Sequence, residues 1–446
     1  MINISILFAL SFLIFFYFLN FISDKKLFLI CCFFCAVRIF DNPFGVSFPF
    51  SFFIPIIFYC KFFLALNSKF IYITELFNRF KFLFFFLAFE FFISLLIAFF
   101  FYPNSDYSLG VLILSCLKNF IRLVLIILFI KYVIDNKKFL KFGFSTILLA
   151  TLISISTEIY TFIFGYNLQP IISNFSYTYD LSSGLKSFRL TGLSFEPRYM
   201  SFLCGFCILT ILVYLKYKKK LPNKLELSYL ILYSLSLLFT FSLSGYIFIF
   251  LTFCSFLFAY KKFFISHIKT IIFLFGFLMT IIYFTYIFYP TFFWQFSARA
   301  NLIEFYDFKY FPTFFNIFEH HDKLAITLLD SNPLFLLNGM GYSMIRFFDA
   351  NLEYAKIGEP SLTRINFPEV SDCCDPGSGL ILCLSSFGIF ATLFFIYKLF
   401  SYIAKDNRNI WAYISLLFFL NLPPGPLTFL VISLAILNYK LSDLYL

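Results

Sequence analysis

Apolar residues in this chain come in continuous runs rather than in alternation. The runs fall at about 2–22, 27–40, 44–66, 81–101, 110–134, 141–164, 198–215, 226–241, 244–260, 269–290, 378–398, 409–421 and 426–438. A hydrocarbon core of about 30 Å asks for about 20 apolar residues of helix. A membrane β-barrel would instead alternate apolar and polar positions. The runs 27–40 and 44–66, joined by Asp41-Asn42-Pro43, read as one broken hairpin. The last two flank Pro423-Pro424-Gly425-Pro426, which cannot continue a helix. The pattern therefore predicts an all-α polytopic membrane protein with about 12–13 transmembrane helices. The first run has no basic stretch ahead of it and no small-residue cleavage site, so it reads as a span and not as a signal peptide.

Composition agrees. The 446 residues are 61% hydrophobic and only 13% charged, against about 45–50% and about 25% in a soluble domain. The net charge of +11 raises the question of nucleic acid, but its placement answers it. Alternate connections carry Lys25 and Lys26; Lys69, Arg79 and Lys81; Lys137, Lys138 and Lys141; Lys216 to Lys224; Lys261, Lys262 and Lys269; Lys398, Lys405 and Arg408; and Lys440. The positive-inside rule puts this set in the cytoplasm, so the charge reports topology and no nucleic-acid partner is expected. Most of the 11 cysteines lie within apolar runs. The pairs Cys32/Cys35 and Cys204/Cys207 have no polar surroundings suited to zinc or redox work, and read as small hydrophobes.

The topology leaves two long connections outside. Residues 1–290 form an N-terminal bundle with a smaller external loop at 165–197. Residues 291–377 form the large external loop, and 378–446 the C-terminal helices, in one integrated domain. The large loop carries eleven acids against six bases and is rich in Phe, Tyr and Leu, so an ordered loop is expected.

Charges at membrane depth are costly and point to function. Glu90 lies about 16 Å inside its span, and Lys118 and Arg122 about 12 and about 18 Å inside theirs, at 1.5 Å per residue. Matching depths would let an antiparallel hairpin pair them, structurally or with one base left for an anionic lipid head. Glu158, about 9 Å deep, is a weaker candidate.

Four external segments carry candidate chemistry. Arg189-Leu190-Thr191-Gly192-Leu193-Ser194-Phe195-Glu196-Pro197-Arg198 crowds two arginines and an acid just before a span. Arginine captures phosphate in a bidentate fork, Gly192 permits a tight turn, and Pro197 suits a first helical turn. Phe296-Ser297-Ala298-Arg299-Ala300 follows a span. Asn332 to Tyr342 contains Gly339-Met340-Gly341, with Arg346 beyond it; without a strand or a P-loop lysine it is no nucleotide site. Asp375-Pro376-Gly377-Ser378-Gly379 opens the next span, where a helix N-terminus would turn free N–H groups outward. Glu319-His320-His321-Asp322 lacks metal-ligand spacing and reads as a solvent-facing segment, with His321 kept as a candidate base; no metal and no cofactor is expected. Cations gathered outside, beyond the reach of cytoplasmic nucleotides, fit a pre-activated lipid-linked diphosphate. Arginines would hold the leaving diphosphate and a carboxylate or histidine would activate an incoming hydroxyl.

These residues carry a resemblance. Arg189-x-x-Gly192-x-x-x-Glu196-Pro197, Ser297-x-Arg299, Pro333 to Gly341, Ser242-Leu-Ser-Gly245-Tyr246, and the junction from Asp375 to Gly388 together resemble the superfamily of O-antigen polymerases (Wzy-type) and O-antigen ligases, over essentially the whole chain. The resemblance implies an inverting, metal-independent membrane glycosyltransferase at the periplasmic face of the bacterial inner membrane. It would polymerise oligosaccharide repeat units carried on undecaprenyl diphosphate into O-antigen or a related surface polysaccharide, alongside a flippase and a chain-length regulator. Arg189, Arg198, Arg299, Arg346 and Arg364, with Gly192, are the diphosphate- or substrate-binding candidates. The general base stays open among Glu196, Asp375 and His321. Ligases carry a His-Asn pair where Asp375 to Ser378 stands here, which favours polymerase. The alternatives are an O-antigen ligase and a flippase or other transporter of the lipid-linked oligosaccharide.

Overall fold

The computed structural model describes residues 22–37, 49–64, 109–164, 197–218, 222–240, 242–259, 333–341, 378–421 and 425–439, with scattered positions within 85–96, 190–193, 276–287, 305–314 and 322–330. Among the described residues the regular structure is helical, apart from a two-residue antiparallel pairing of Phe305–Tyr306 with Thr313–Phe314. In chain order the helices are α1 (Asp24–Ala36), α2 (Ile54–Leu64), α3 (Leu109–Asp135), α4 (Leu140–Phe164), α5 (Pro197–Lys218), α6 (Lys224–Phe239), α7 (Leu243–Ala259), α8 (Pro333–Asn338), α9 (Gly379–Lys405), α10 (Ile410–Asn421) and α11 (Pro426–Ile436). Most follow the apolar runs closely. Among the described residues three helical stretches, Lys137–Tyr160, Arg198–Leu215 and Gly379–Lys405, are long and apolar enough to cross a membrane.

The chain divides into two compact units. The first takes α1, α2, α3 from Phe120 onward, α4 and residues 192–195. Aromatic rings close it. Phe28 and Phe58 lie against Tyr132 with centroids 5.8 and 4.8 Å away, and Phe52 meets Phe129 at 5.0 Å. Helices α1 and α4 come close because Gly143 has no Cβ: one built there would stand 2.8 Å from Cys32 Sγ and 2.9 Å from the Phe28 ring. At the C-terminus of α3, Asp135 pairs with Lys131 and accepts a hydrogen bond from Tyr59 at 3.1 Å. All of this lies at one end of the unit. Lys25 sits 3.5 Å from the centre of the Phe142 ring, which brings Lys25 and Lys26 beside Lys137, Lys138 and Lys141. Cys31, Cys32 and Cys35 are buried free thiols, as are Cys204 and Cys207 of the other unit.

The second unit takes the start of α3 and α5 to α11. Helices α5 and α7 run parallel. Phe202, Phe248 and Phe418, from α5, α7 and α10, form a ring cluster with centroids 4.4 to 5.4 Å apart. A Cβ on Gly245 would stand 2.1 Å from Ser201 Oγ, so this glycine sets the α5–α7 approach. Polar side chains fasten α10 to α11: Asn409 Nδ2 donates to the Ala435 carbonyl (2.9 Å), Trp411 Nε1 to the Tyr439 carbonyl (3.0 Å), and Asn438 Nδ2 to Asp406 (3.0 Å).

Helix α9 differs from the run at 378–398. Gly388 has φ 78° and ψ 179°, which breaks the helix. Its two parts measure about 14 and about 26 Å at 1.5 Å per residue. The second part runs antiparallel to α10, with the Phe395 and Phe419 rings in tilted contact (4.7 Å), while the start of α9 lies at the same end of α10, where Ser378 Oγ donates to the Leu420 carbonyl (2.7 Å). The kink folds the helix back instead of prolonging it.

Candidate functional site

Two buried leucines ahead of α5 are each held within their own unit. Leu190 N–H donates to the Phe239 carbonyl (2.9 Å), and Leu193 N–H to Ser154 Oγ (2.6 Å). Pro197 opens α5 at its first position, where its missing N–H costs no helical bond. Arg198, half-buried, stands in that first turn, and its carbonyl accepts from Ser201 Oγ (2.6 Å). Ser242 precedes α7, where its carbonyl accepts from Tyr246 N–H (3.1 Å), while Tyr246 Oη donates to the Leu238 carbonyl (2.6 Å).

The large loop meets α9 through main chain. Hydrogen bonds from residues 389–391 to the carbonyls of 385–387 would have to run across position 388, where the backbone is not helical. Two of those carbonyls take donors from the loop instead. Met340 N–H donates to the Ser385 carbonyl (2.6 Å) and Gly341 N–H to the Ser386 carbonyl (3.0 Å). The fit requires glycine on both sides. Gly339 (φ 77°) and Gly341 (φ 89°) adopt left-handed backbone, and a Cβ on Gly339 would stand 2.3 Å from the Ser386 carbonyl oxygen. A Cβ on Gly388 would stand 2.1 Å from the carbonyl oxygen of Leu337. The Gly-x-Gly pair thus serves as a close-packing device between loop and helix.

The N-terminus of α9 is capped rather than open. Ser378 Oγ accepts from Ile381 N–H (3.5 Å), and Ser378 N–H donates to Asp322 Oδ1 (3.1 Å). Asp322 is 3% exposed, so this acid is buried and not solvent-facing as its sequence neighbourhood suggests.

These contacts bring four sequence motifs to one end of the second unit. The starts of α5, α7 and α9 and the ends of α6 and α10 meet there, as the Leu190–Phe239, Phe202–Phe248–Phe418 and Ser378–Leu420 contacts require. Lys216 and Lys218 at the end of α5, Lys224 at the start of α6, and Lys405 and Arg408 between α9 and α10 fall at the opposite helix ends. Basic connections and motifs are segregated by end.

Of the candidate residues, Arg198, Lys118 and Arg122 are described. Lys118 and Arg122 stand one turn apart on α3, the first half-buried and the second 6% exposed. Arg122 therefore faces protein. Glu158 is half-buried on α4. Glu90, Arg189, Gly192, Glu196, Arg299, His321, Arg346, Arg364 and Asp375 lie outside the described residues. The sequence singles out the segments containing Asp322, Ser378 and Gly388 but not their roles. Asp322 is one acid among eleven in the loop, and no spacing ties it to Ser378.

Compared with models of known families, with curated proteins and with solved structures, the chain matches none.

Proposed function

We propose that the protein polymerises lipid-linked oligosaccharide repeat units into a surface polysaccharide at the outer face of the cytoplasmic membrane. One observation supports this above the rest. Segments chosen from sequence for their likeness to O-antigen polymerases are joined in space: Pro333–Gly341 to the helix opened by Ser378, and the segment before Pro197 to the end of α6, just ahead of Ser242. Far-separated motifs that converge at one end, away from the basic connections, are what an external active site needs.

In the proposed reaction Arg189 and Arg299 hold undecaprenyl diphosphate as the leaving group. The bond from the donor's anomeric carbon to the diphosphate oxygen breaks. An acceptor hydroxyl on a second lipid-linked unit forms the new bond from the opposite side, and its proton passes to Glu196, Asp375 or His321.

The test is a gel of surface polysaccharide from cells lacking the protein, complemented with wild type, Arg189→Ala, Arg299→Ala or Glu196→Ala. The expected result is a core bearing a single repeat unit in the null strain, a ladder with wild type, and no ladder with the arginine variants at equal expression. Bare core in the null strain overturns the reading. Polymer stranded on undecaprenyl diphosphate would then indicate a ligase, and single units trapped on the inner leaflet a flippase.

A further inference from the structure

The stretch from Asp322 to Gly341 meets α9 at two places. At one, the Asp322 carboxylate accepts the N–H of Ser378, ahead of the helix. At the other, Met340 and Gly341 donate to the carbonyls of Ser385 and Ser386, one helical half later. The two contacts therefore bracket residues 379–387, the part of α9 before the kink.

Both contacts are expensive to build. A carboxylate is rarely this buried unless paired; here the N–H of Ser378, at the N-cap of α9, donates to it where the helix dipole favours negative charge. The second contact exists only because Gly388 interrupts the helical ladder and leaves carbonyls to be claimed from outside. Neither feature is needed to pack α9 against α10, which Phe395 and Phe419 accomplish further along. What the two contacts do fix is Asp322 and residues 340–341, which belong in sequence to the same connection as Arg299, Arg346 and Arg364.

We infer that Asp322 and Gly388 are positioning residues, a two-point clasp that holds the large loop on α9 in the arrangement glycosyl transfer requires. The inference rests on the proposed function. Neither residue is assigned contact with substrate.

The experiment joins amide hydrogen exchange on the full-length protein in detergent with the polysaccharide ladder in cells, for Asp322→Leu, Asp322→Asn and Gly388→Ala. Gly205→Ala serves as a control, since its Cβ would meet only side-chain atoms of Ile249 and Phe248. Asp322→Leu is expected to speed exchange at Ser378, Met340 and Gly341 at least tenfold, to leave α10 and α11 protected, and to abolish the ladder. Asp322→Asn keeps an oxygen for the Ser378 N–H and should return both readouts. Gly388→Ala acts from the other side of the clasp and should reproduce the loss, whereas Gly205→Ala should not. Unchanged exchange in both Asp322→Leu and Gly388→Ala overturns the clasp. A loosened clasp with a full ladder overturns the positioning role, as does loss of protection across α10 and α11, which would mean general unfolding. Restored exchange without a ladder in Asp322→Asn would give Asp322 a chemical task instead. If Arg189→Ala and Arg299→Ala both keep the ladder, the polymerase reading falls and takes the positioning role with it, while the exchange data still decide whether the clasp exists.

Discussion

The two units are made of the same apolar helical material and closed by different means. In the first, helices approach through side chains: Gly143 makes room for the tips of Cys32 and Phe28, and rings around Tyr132 fill the centre. The second has its own ring cluster but adds a place where backbone meets backbone, with Gly339 against the Ser386 carbonyl and Gly388 against that of Leu337. Side-chain contacts yield by small rotations, whereas main-chain contacts do not. The first unit is closed as an ordinary helix bundle. The second has its loop built into it.

The largest test of this contrast is a matched pair of glycine substitutions. Gly388→Ala forces a Cβ into a carbonyl oxygen and into left-handed backbone, and should cost about 3 kcal/mol or more. Gly143→Ala meets only side-chain atoms and should cost about 1 kcal/mol. Thermal unfolding of both variants in detergent checks it; equal losses would erase the distinction. Next comes the α5–α7 contact. Gly245→Ala should destabilise by about 2 kcal/mol, and Ser201→Gly in the same chain should recover most of it, since the clash is with Ser201 itself. A double-mutant cycle with no coupling would remove Gly245 from the close approach. Asn409→Ala should then cost about 1–2 kcal/mol, because it removes both the donor to the Ala435 carbonyl and the acceptor of Ala412 N–H.

The smallest effect concerns charge, where the units differ again. In the second unit Lys216, Lys218 and Lys405 stand at helix C-termini, where the dipole favours cations. In the first, Lys25 and Lys26 open α1, and Lys137, Lys138 and Lys141 open α4, against the dipole. Local helix electrostatics did not choose those positions. Lys26→Gln should raise stability by a few tenths of a kcal/mol and Lys405→Gln lower it by a similar amount. Two shifts of the same sign would refute the dipole argument.

Much of this architecture is legible in the sequence. Continuous hydrophobicity marks α3, α4, α5 and α7 nearly to the residue, and Pro197, Ser378 and the Pro423–Pro426 cluster mark where helices open or part. The fold-back of α9 is not legible. A glycine inside an apolar run is tolerated in a helix, and only the loop carbonyl against Gly388, from a segment remote in sequence, gives it a left-handed backbone. For the same reason Gly339 and Gly341 suggest a turn but not what it packs against. The tie from Asp322 to α9 is invisible because it is made to a main-chain N–H, which leaves no trace in residue type. The site is legible as motifs; what joins the motifs is backbone.

The exchange of partners at Gly388 also bears on the order in which the chain is assembled. An unbonded carbonyl in hydrocarbon costs several kcal/mol. The carbonyls of Ser385 and Ser386 find their donors only once Met340 and Gly341 are in place beside the first half of α9. Synthesis from the N-terminus delivers that order, since both donors precede α9 in the chain.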